Sequence, residues 1–579
     1  MGITQLSLVT ILIAKSELEE LITELYEFED FHPSDQEGSY EELSFNRLKS
    51  KTLELNLEIN SVIGKLEDRY HFNKDAENIE RFVIKSNDWS SLLSNIVNEL
   101  RVIRGKLSCK IRLSHKDLTC LIMFRETTFL MFEILRRIKI KHELKYFVTI
   151  EGYIPTKSEK KFCDQFSQWY HTIKPLRRDK DVSPIVPTRL TNPRFIKLFE
   201  DITVVQGIPK YSDIDPTPLI AFVFPFFYGI MFPDLGQGLL FILFGKVLSM
   251  QRIKIKMLTG RKYKYWGKML MTFGVSASIV GLLSGGNFFG LELANYGIHY
   301  IMPFSNIRIF GGNGSTTINI ETVTTVMIIA ILIGTFHLAS AYIIAIINKI
   351  REKKYAEAFT YHLATLVTYS FGILLGLSFI GSGNNITQLF SNSRQLPVFS
   401  SSLDVHIQSS TAAIISVPII IISMLTIVFG RAISSLIHKQ RDYITRINQG
   451  ITDAAFIPII FLTNTISYAR LGIFFIMHSA LMGLVNSAWQ YGIAGLPTII
   501  LGNIAVMILE GFLVYIQDLR LHLYEWVTKF SDDGDDKVMF FRGLKSDADV
   551  VELKFSHNDE EKQLATLTQN ILNYRYTVP

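Results

Sequence analysis

Two ionisable side chains sit where an apolar helix should carry none. The stretch SYARLGIFFIMHSAL (Ser467–Leu481) lies inside more than thirty residues otherwise fit for a membrane, yet it holds Arg470 near its middle and His478 eight residues later. Eight residues of helix is about 12 Å and a rotation of about 80°, so the two can line one broad face at different depths. Asn464, Ser467 and Tyr468 add polar groups to the same stretch. A second apolar stretch, 496–528, carries Asn503, Glu510, Gln517, Asp518, Arg520 and His522. Two helices, each with a cation and a proton-exchanging group at staggered depth, fit a path for ions.

An arginine near the centre of a membrane helix costs about 2.5–3.5 kcal/mol on insertion scales, which is tolerated when it faces a carboxylate or water. A structural Arg470–Glu510 ion pair would also satisfy that requirement. Arg520 and His522 stand near the end of their stretch, where snorkelling accounts for them without function. A histidine such as His478, taken alone, is more often a satisfied core residue than a relay, and His337 and His362 are weaker candidates still. Lys246 and Asp234 could form a local pair around a bent helix end.

The elements that must position these residues divide the chain in two. The 579 residues are 48% hydrophobic and 20% charged, with a formal charge of +5 and a mean hydropathy of +0.23. That mixture fits one soluble and one membrane part. No basic tail points to nucleic acid. Cys109, Cys120 and Cys163 show neither metal-ligand spacing nor pairing, which suits a reducing compartment. The apolar run Ile3–Ala14 lacks a basic n-region and a cleavage site, and reads as a buried strand rather than a signal peptide.

Before residue 215, Leu48, Leu55, Ile59, Val62 and Leu66 form one helical stripe, and Phe124, Met131, Leu135 and Ile138 another. They fit either an antiparallel coiled-coil stalk or two ordinary core helices. FVTIEGYIP (Phe147–Pro155) reads as a strand ending in a Gly-containing turn, and SEKKFCDQFSQWY after it as a helix. The expected fold is an α+β cytoplasmic domain with long antiparallel coiled-coil helices at 1–215. It is followed at 216–530 by an all-α polytopic membrane domain of about eight spans, the last two long and tilted, and by a C-terminal tail at 531–579.

The spans fall near 217–231, 233–249, 267–289, 321–348, 359–380, 411–430, 454–490 and 496–528, most of them long enough to cross a bilayer. Pro225 and Pro233 interrupt the first two, which could be one broken span or a re-entrant pair. Basic residues crowd the loops after the second, fourth and sixth spans (Lys246 to Lys268, Lys349 to Lys354, Arg431 to Arg446), whereas the loops after the third and fifth have few. The positive-inside rule makes the basic loops cytoplasmic, and eight spans then place both termini there. The sequon at Asn385 would lie outside.

These residues resemble a known family. SYARLGIFFIMHSAL is similar to the penultimate span of the large membrane stator subunit of rotary ATPases, subunit a of V-type enzymes and subunit I of A/V-type enzymes: Ser-Tyr, a variable residue, Arg-Leu, then His eight residues after the Arg. LEGFLVYIQDLRLHLYEWVTKF (Leu509–Phe530) resembles its last span. YSDIDPTPL (Tyr211–Leu219), FPFFYGIMFPDLGQG (Phe224–Gly238), LLSGGNFFG (Leu282–Gly290), PTRLTNP (Pro187–Pro193) and EGYIP (Glu151–Pro155) match in order along the chain. The compact N-terminal half looks like the archaeal form, in the cell membrane of an archaeon or bacterium.

The resemblance implies that Arg470 faces the carboxylate of a rotor ring, with Arg520 a second arginine there. Glu510 and His478 would line half-channels for protons or sodium ions, with Asn464 and Ser467 nearby. The implied partners are the ring of small membrane subunits, peripheral stalks, a central-stalk adaptor and the lipid bilayer, and no cofactor is implied. The family often has an acid fourteen positions before the arginine; here Phe456 stands there and the nearest acid is Asp453, one helical turn earlier. Pro233 and Gln237 also depart from the pattern around Asp234. The sequence has no GxxxxGK[ST] run, so ATP chemistry would sit on other subunits. A free-standing secondary transporter or a purely structural membrane anchor are the rival readings.

Overall fold

The computed structural model describes residues 2–34, 43–70, 82–86, 89–109, 115–176, 186–250, 261–284, 287–292, 320–383, 386–390, 408–437, 443–531, 539–545 and 551–555. The chain is mostly helical and divides into two compact units, Thr4–Arg189 with Lys537–Pro579, and Met1–Ile3 with Leu190–Asp536.

The first unit is built on the apolar N-terminal run. β2 (Leu6–Ala14) buries Leu6, Val9, Ile11 and Ile13 at a spacing of nearly two, the period of a strand with one face on a core. It pairs antiparallel with β6 (Phe147–Pro155) on one side and β7 (Tyr170–Pro175) on the other. β3 (His32–Pro33) and β5 (Ile140–Glu143) pair with the far edge of β6. Gly152 stands inside β6, not in a turn after it: a Cβ there would strike the Phe31 ring and lie 2.8 Å from the His32 carbonyl oxygen. The segment after it is α-helical only over α5 (Glu159–Gln165), and a turn closed by the Trp169 N–H on the Phe166 carbonyl then leads into β7.

α1 (Leu18–Phe28), α2 (Leu43–Tyr70), α3 (Trp89–Ser108) and α4 (His115–Arg137) pack their apolar stripes into one core with this sheet. Leu55, Ile59 and Val62 of α2 and Phe124, Met131 and Leu135 of α4 are all buried there, while the side chain of Leu66 lies outside the described residues. Asn56 ties the two helices, donating to the Arg125 carbonyl at 3.0 Å and to Thr128 Oγ1 at 2.9 Å. Parts of the acidic C-terminal stretch pack into this unit. Phe541 N–H donates to the Thr188 carbonyl, Arg137 donates to the Gly543 carbonyl, and β11 (Val551–Phe555) pairs parallel with β4 (Phe82–Ser86).

In the second unit β1 (Gly2–Ile3) pairs with β8 (Leu190–Thr191), and α6 (Glu200–Gln206) precedes the apolar helices. α7 (Thr217–Met231) starts where the Asp215 carboxylate accepts the Thr217 N–H at 2.9 Å, and it contains Pro225. The break at Pro233 leads into α8 (Leu235–Met250), which lies against α9 (Arg261–Leu283). Gly267, Gly274 and Gly281 on α9 recur every seven residues and meet the backbone of α8. A Cβ on Gly274 would lie 2.6 Å from the Gly238 carbonyl oxygen, and one on Gly267 2.7 Å from that of Gly245. This seam lets two helices approach closely where lipid offers no hydrophobic drive to hold them.

A short hairpin of β9 (Asn287–Phe288) and β10 (Leu291–Glu292) follows, then α10 (Ile320–Arg351). α11 (Tyr355–Glu357) passes through a π turn, Ala358–Leu363, into α12 (Ala364–Gly381). α13 (Ser409–Ile437), α14 (Tyr443–Asn486) and α15 (Leu496–Arg520) complete the set, with a π turn, Leu521–Trp526, after α15. Among the described residues, five helical stretches are long and apolar enough to cross a membrane: Tyr263–Leu283, Val326–Arg351, Tyr355–Gly381, Ser409–Gly430 and Ile447–Lys529, the last holding both α14 and α15. α7 and α8 are shorter apolar helices. This is the unit of a membrane protein. The basic loop at 251–260 and the sequon at Asn385 lie outside the described residues.

Candidate functional site

α14 and α15 run antiparallel, joined by a 3₁₀ segment, Ser487–Gly495, in which Gly492 has φ +60°. Contacts move down one helix as they move up the other: Arg470 meets Gln517, His478 meets Glu510, and Val485 meets Gly502. Glu510 and Gln517 are seven residues apart, which puts them on one face of α15.

Arg470 does not pair with Glu510. Its Nη1 donates to Gln517 Oε1 at 3.2 Å and its Nη2 to Glu525 Oε1 at 3.0 Å. The side chains of Arg470 and Glu525 are 17% and 6% exposed. Glu525 lies eight residues beyond Gln517, which on a regular helix would turn it about 80° away. The π turn Leu521–Trp526 takes up one extra residue, so Glu525 returns to the face of Gln517 and both reach the same guanidinium.

A second cluster lies two turns along. His478 is buried, with Nδ1 2.9 Å from Glu510 Oε2 and Nε2 3.8 Å from Asp234 Oδ2. Asp234 is buried too and is held by backbone: it accepts the N–H groups of Gln237 at 2.9 Å, Phe289 at 3.1 Å and Gly290 at 2.9 Å. The first of these caps α8, and the other two fix the hairpin after α9. Asn486 donates to the Phe289 carbonyl, and Gln237 donates to Asn503 Oδ1 at 3.2 Å, which ties the hairpin and α8 to α14 and α15. Asp234 therefore belongs to the His478 cluster and not to a pair with Lys246, which is exposed.

A third buried group stands beside these. His522 is enclosed by Phe224, Phe227 and Trp526, with Nδ1 3.2 Å from Asp518 Oδ1. Snorkelling therefore does not describe His522. His337 stacks on Trp526 at 5.1 Å and meets Tyr468 Oη at 2.9 Å, a satisfied core histidine at Nδ1.

The other sequence candidates are more scattered. Arg520 is exposed and has no polar partner among the described residues. Asn464 is buried, with no partner for Nδ2 among the described residues, and Ser467 is half-buried. Asp453 is half-buried near the start of α14, about 25 Å along the helix from Arg470, and is not brought to either cluster. Sequence reasoning missed Glu525 and gave Asp234 no part in the site. An aspartate directly before an apolar helix is a capping signal that could have drawn attention to Asp234. Nothing local marks Glu525. Among the described residues no group of three or more His, Cys, Asp or Glu is arranged to hold a metal ion.

Residues 51–297 match the model of the V-type ATPase 116kDa subunit family. The A-type ATP synthase subunit I of Saccharolobus solfataricus is 27% identical over 439 residues, which cover 67% of this chain and 59% of that relative. Subunit I of Methanocaldococcus jannaschii is 22% identical over 555 residues, covering 91% of this chain and 68% of the relative. That of Archaeoglobus fulgidus is 34% identical over 165 residues, covering 27% and 22%. In these matches the chain is similar to the V-type ATPase 116kDa subunit family and to subunit I of A-type ATP synthases, and the apolar helices that carry the Arg470 and His478 clusters fit a membrane subunit.

Proposed function

We propose that this chain is the membrane stator subunit of a rotary A/V-type ATPase or ATP synthase, providing two ion half-channels against a rotor ring. The observation that carries the reading is a guanidinium only 17% exposed, Arg470, held between two long apolar helices by single contacts to Gln517 and Glu525. A charge kept there at a cost of a few kcal/mol has a use in favouring the ionised form of a carboxylate that passes it. The His478, Glu510 and Asp234 cluster supplies exchangeable protons about 12 Å away along the helix, fitting one half-channel. The other half-channel would open on the far side of Arg470, toward Asn464, Ser467 and Asp453, with Arg520 on the ring-facing surface.

In this reading an ion enters one half-channel and neutralises a rotor carboxylate, which then faces lipid. After the ring turns, the carboxylate meets Arg470, ionises, and releases its ion into the second half-channel. α7 and α8, at about 22–24 Å, are short for a hydrocarbon core of about 30 Å, and they complete an eight-helix topology with the basic loops, the N-terminal unit and the tail cytoplasmic. The partners would be the ring, peripheral stalks and a central-stalk adaptor.

The test is ATP-driven ion uptake into vesicles carrying the assembled complex, with Arg470→Ala beside wild type and a proton- or sodium-sensitive dye. Assembly with loss of uptake is expected. An assembled variant that pumps at the wild-type rate contradicts the proposal.

A further inference from the structure

The geometry points to Glu525 as a positioning residue for ion transfer: it holds Arg470 by one oxygen and shares that guanidinium with the carboxylate Arg470 serves on the neighbouring ring. This rests on the stator reading above.

Three observations carry it. Glu525 is buried, and of its two oxygens only Oε1 is bonded, while the buried Oε2 has no partner among the described residues. The second partner of Arg470, Gln517, is neutral and takes a different nitrogen. The π turn Leu521–Trp526 is what brings the acid onto the face of Gln517.

A guanidinium has five N–H donors, and its strong pairing with a carboxylate is a two-bond fork. Here the fork is not made. A forked pair would neutralise Arg470 and weaken its pull on any second acid. With no counter-charge, the buried cation would be costly to keep. The one-point pair lies between these limits, fixing the guanidinium while leaving donors for an arriving carboxylate. Tyr468 of α14 stands against both members of the pair but is hydrogen-bonded to His337 of α10, and Asp518 of α15 is paired with His522 of the π turn, so none of these titratable groups is hydrogen-bonded to Glu525 or Arg470.

The experiment uses the assembled complex with Glu525→Gln and Glu525→Asp. Removing the acid leaves Arg470 uncompensated, so it favours the ionised rotor carboxylate more strongly. The alkaline limb of ATP-driven pumping, where that carboxylate must regain its proton, should move to lower pH by about one unit in Glu525→Gln. Glu525→Asp keeps the charge and should leave the limb in place even where the rate falls. An unchanged profile in Glu525→Gln overturns the inference. Should Glu525→Gln assemble poorly, complex yield in Arg470→Ala, Glu525→Gln and the double variant decides. Partners predict a double variant that assembles better than either single one, since each single leaves one buried charge unpaired. Additive losses overturn the pairing. Normal pumping by assembled Arg470→Ala would instead remove the stator reading itself.

Discussion

The seam between α8 and α9 allows a sharp test of how packing holds the site. In Gly281→Ala the new Cβ would lie 2.7 Å from the Leu235 nitrogen and 2.8 Å from the Asp234 carbonyl carbon. Ordinary contact begins at 3.4 Å, so the start of α8 must retreat by about 0.7 Å (3.4 less 2.7). Both obstacles are backbone, so no rotamer change relieves them, and overpacking of this kind costs about 1–3 kcal/mol. The displaced residue is Asp234, whose carboxylate holds three backbone N–H groups and faces His478 at 3.8 Å.

A lower thermal unfolding midpoint of the purified, detergent-solubilised complex is therefore expected, with slower ion pumping at temperatures where it remains folded. The control is Gly372→Ala on α12, where a Cβ meets nothing within 4 Å. There the gain in helix propensity, about 1 kcal/mol on scales measured in water, should leave the midpoint unchanged or raised. Equal midpoints for the two variants would refute the close approach of α8 and α9.

Two further outcomes follow from buried charge. His478→Ala leaves Glu510 and Asp234 without the imidazole that each meets, and should destabilise the complex by the roughly 3–5 kcal/mol typical of a broken buried pair, read as a lower yield; His478→Gln keeps a donor for Glu510 and should assemble better, so equal yields for the two would contradict the pairing. At Asp213, before the first apolar helix, burial and then the charge of Glu352 push the carboxyl up to about 6 from an ordinary 3.8. The folded state therefore binds more protons, and the stability this gives at low pH is lost as pH rises from about 4 to about 6, on the order of 3 kcal/mol. Asp213→Asn should flatten that decline, and thermal midpoints of the complex between pH 4.5 and 7 test it; parallel declines would rule it out.

Much of the fold was legible because its signals are local. The alternation in Leu6–Ala14, the stripes through Leu55, Ile59 and Val62 and through Phe124, Met131 and Leu135, and the long apolar runs from Thr217 onward each follow from the period of one element. The boundaries were less so. Gly152 reads as a turn residue, yet it sits in a strand because the Phe31 ring and the His32 backbone leave no room for a side chain. The seven-residue glycine repeat on α9 is visible in the sequence, but its meaning depends on which helix lies against it.

The sequence by itself determined that Arg470, His478 and Glu510 lie deep in apolar helices, since the cost of placing them there makes them conspicuous wherever they point. Only the tertiary structure decided which of them pair. Arg470 and Glu510 look complementary, but antiparallel packing of α14 and α15 sets His478 opposite Glu510, and the π turn after Arg520 brings Glu525 to Arg470. Asp234 joins the same site from more than two hundred residues away, through a helix cap and a hairpin. Helical period fixes which face a residue occupies. The choice of partner depends on helix register and on one extra residue in a turn, and neither is written in the local pattern of charges.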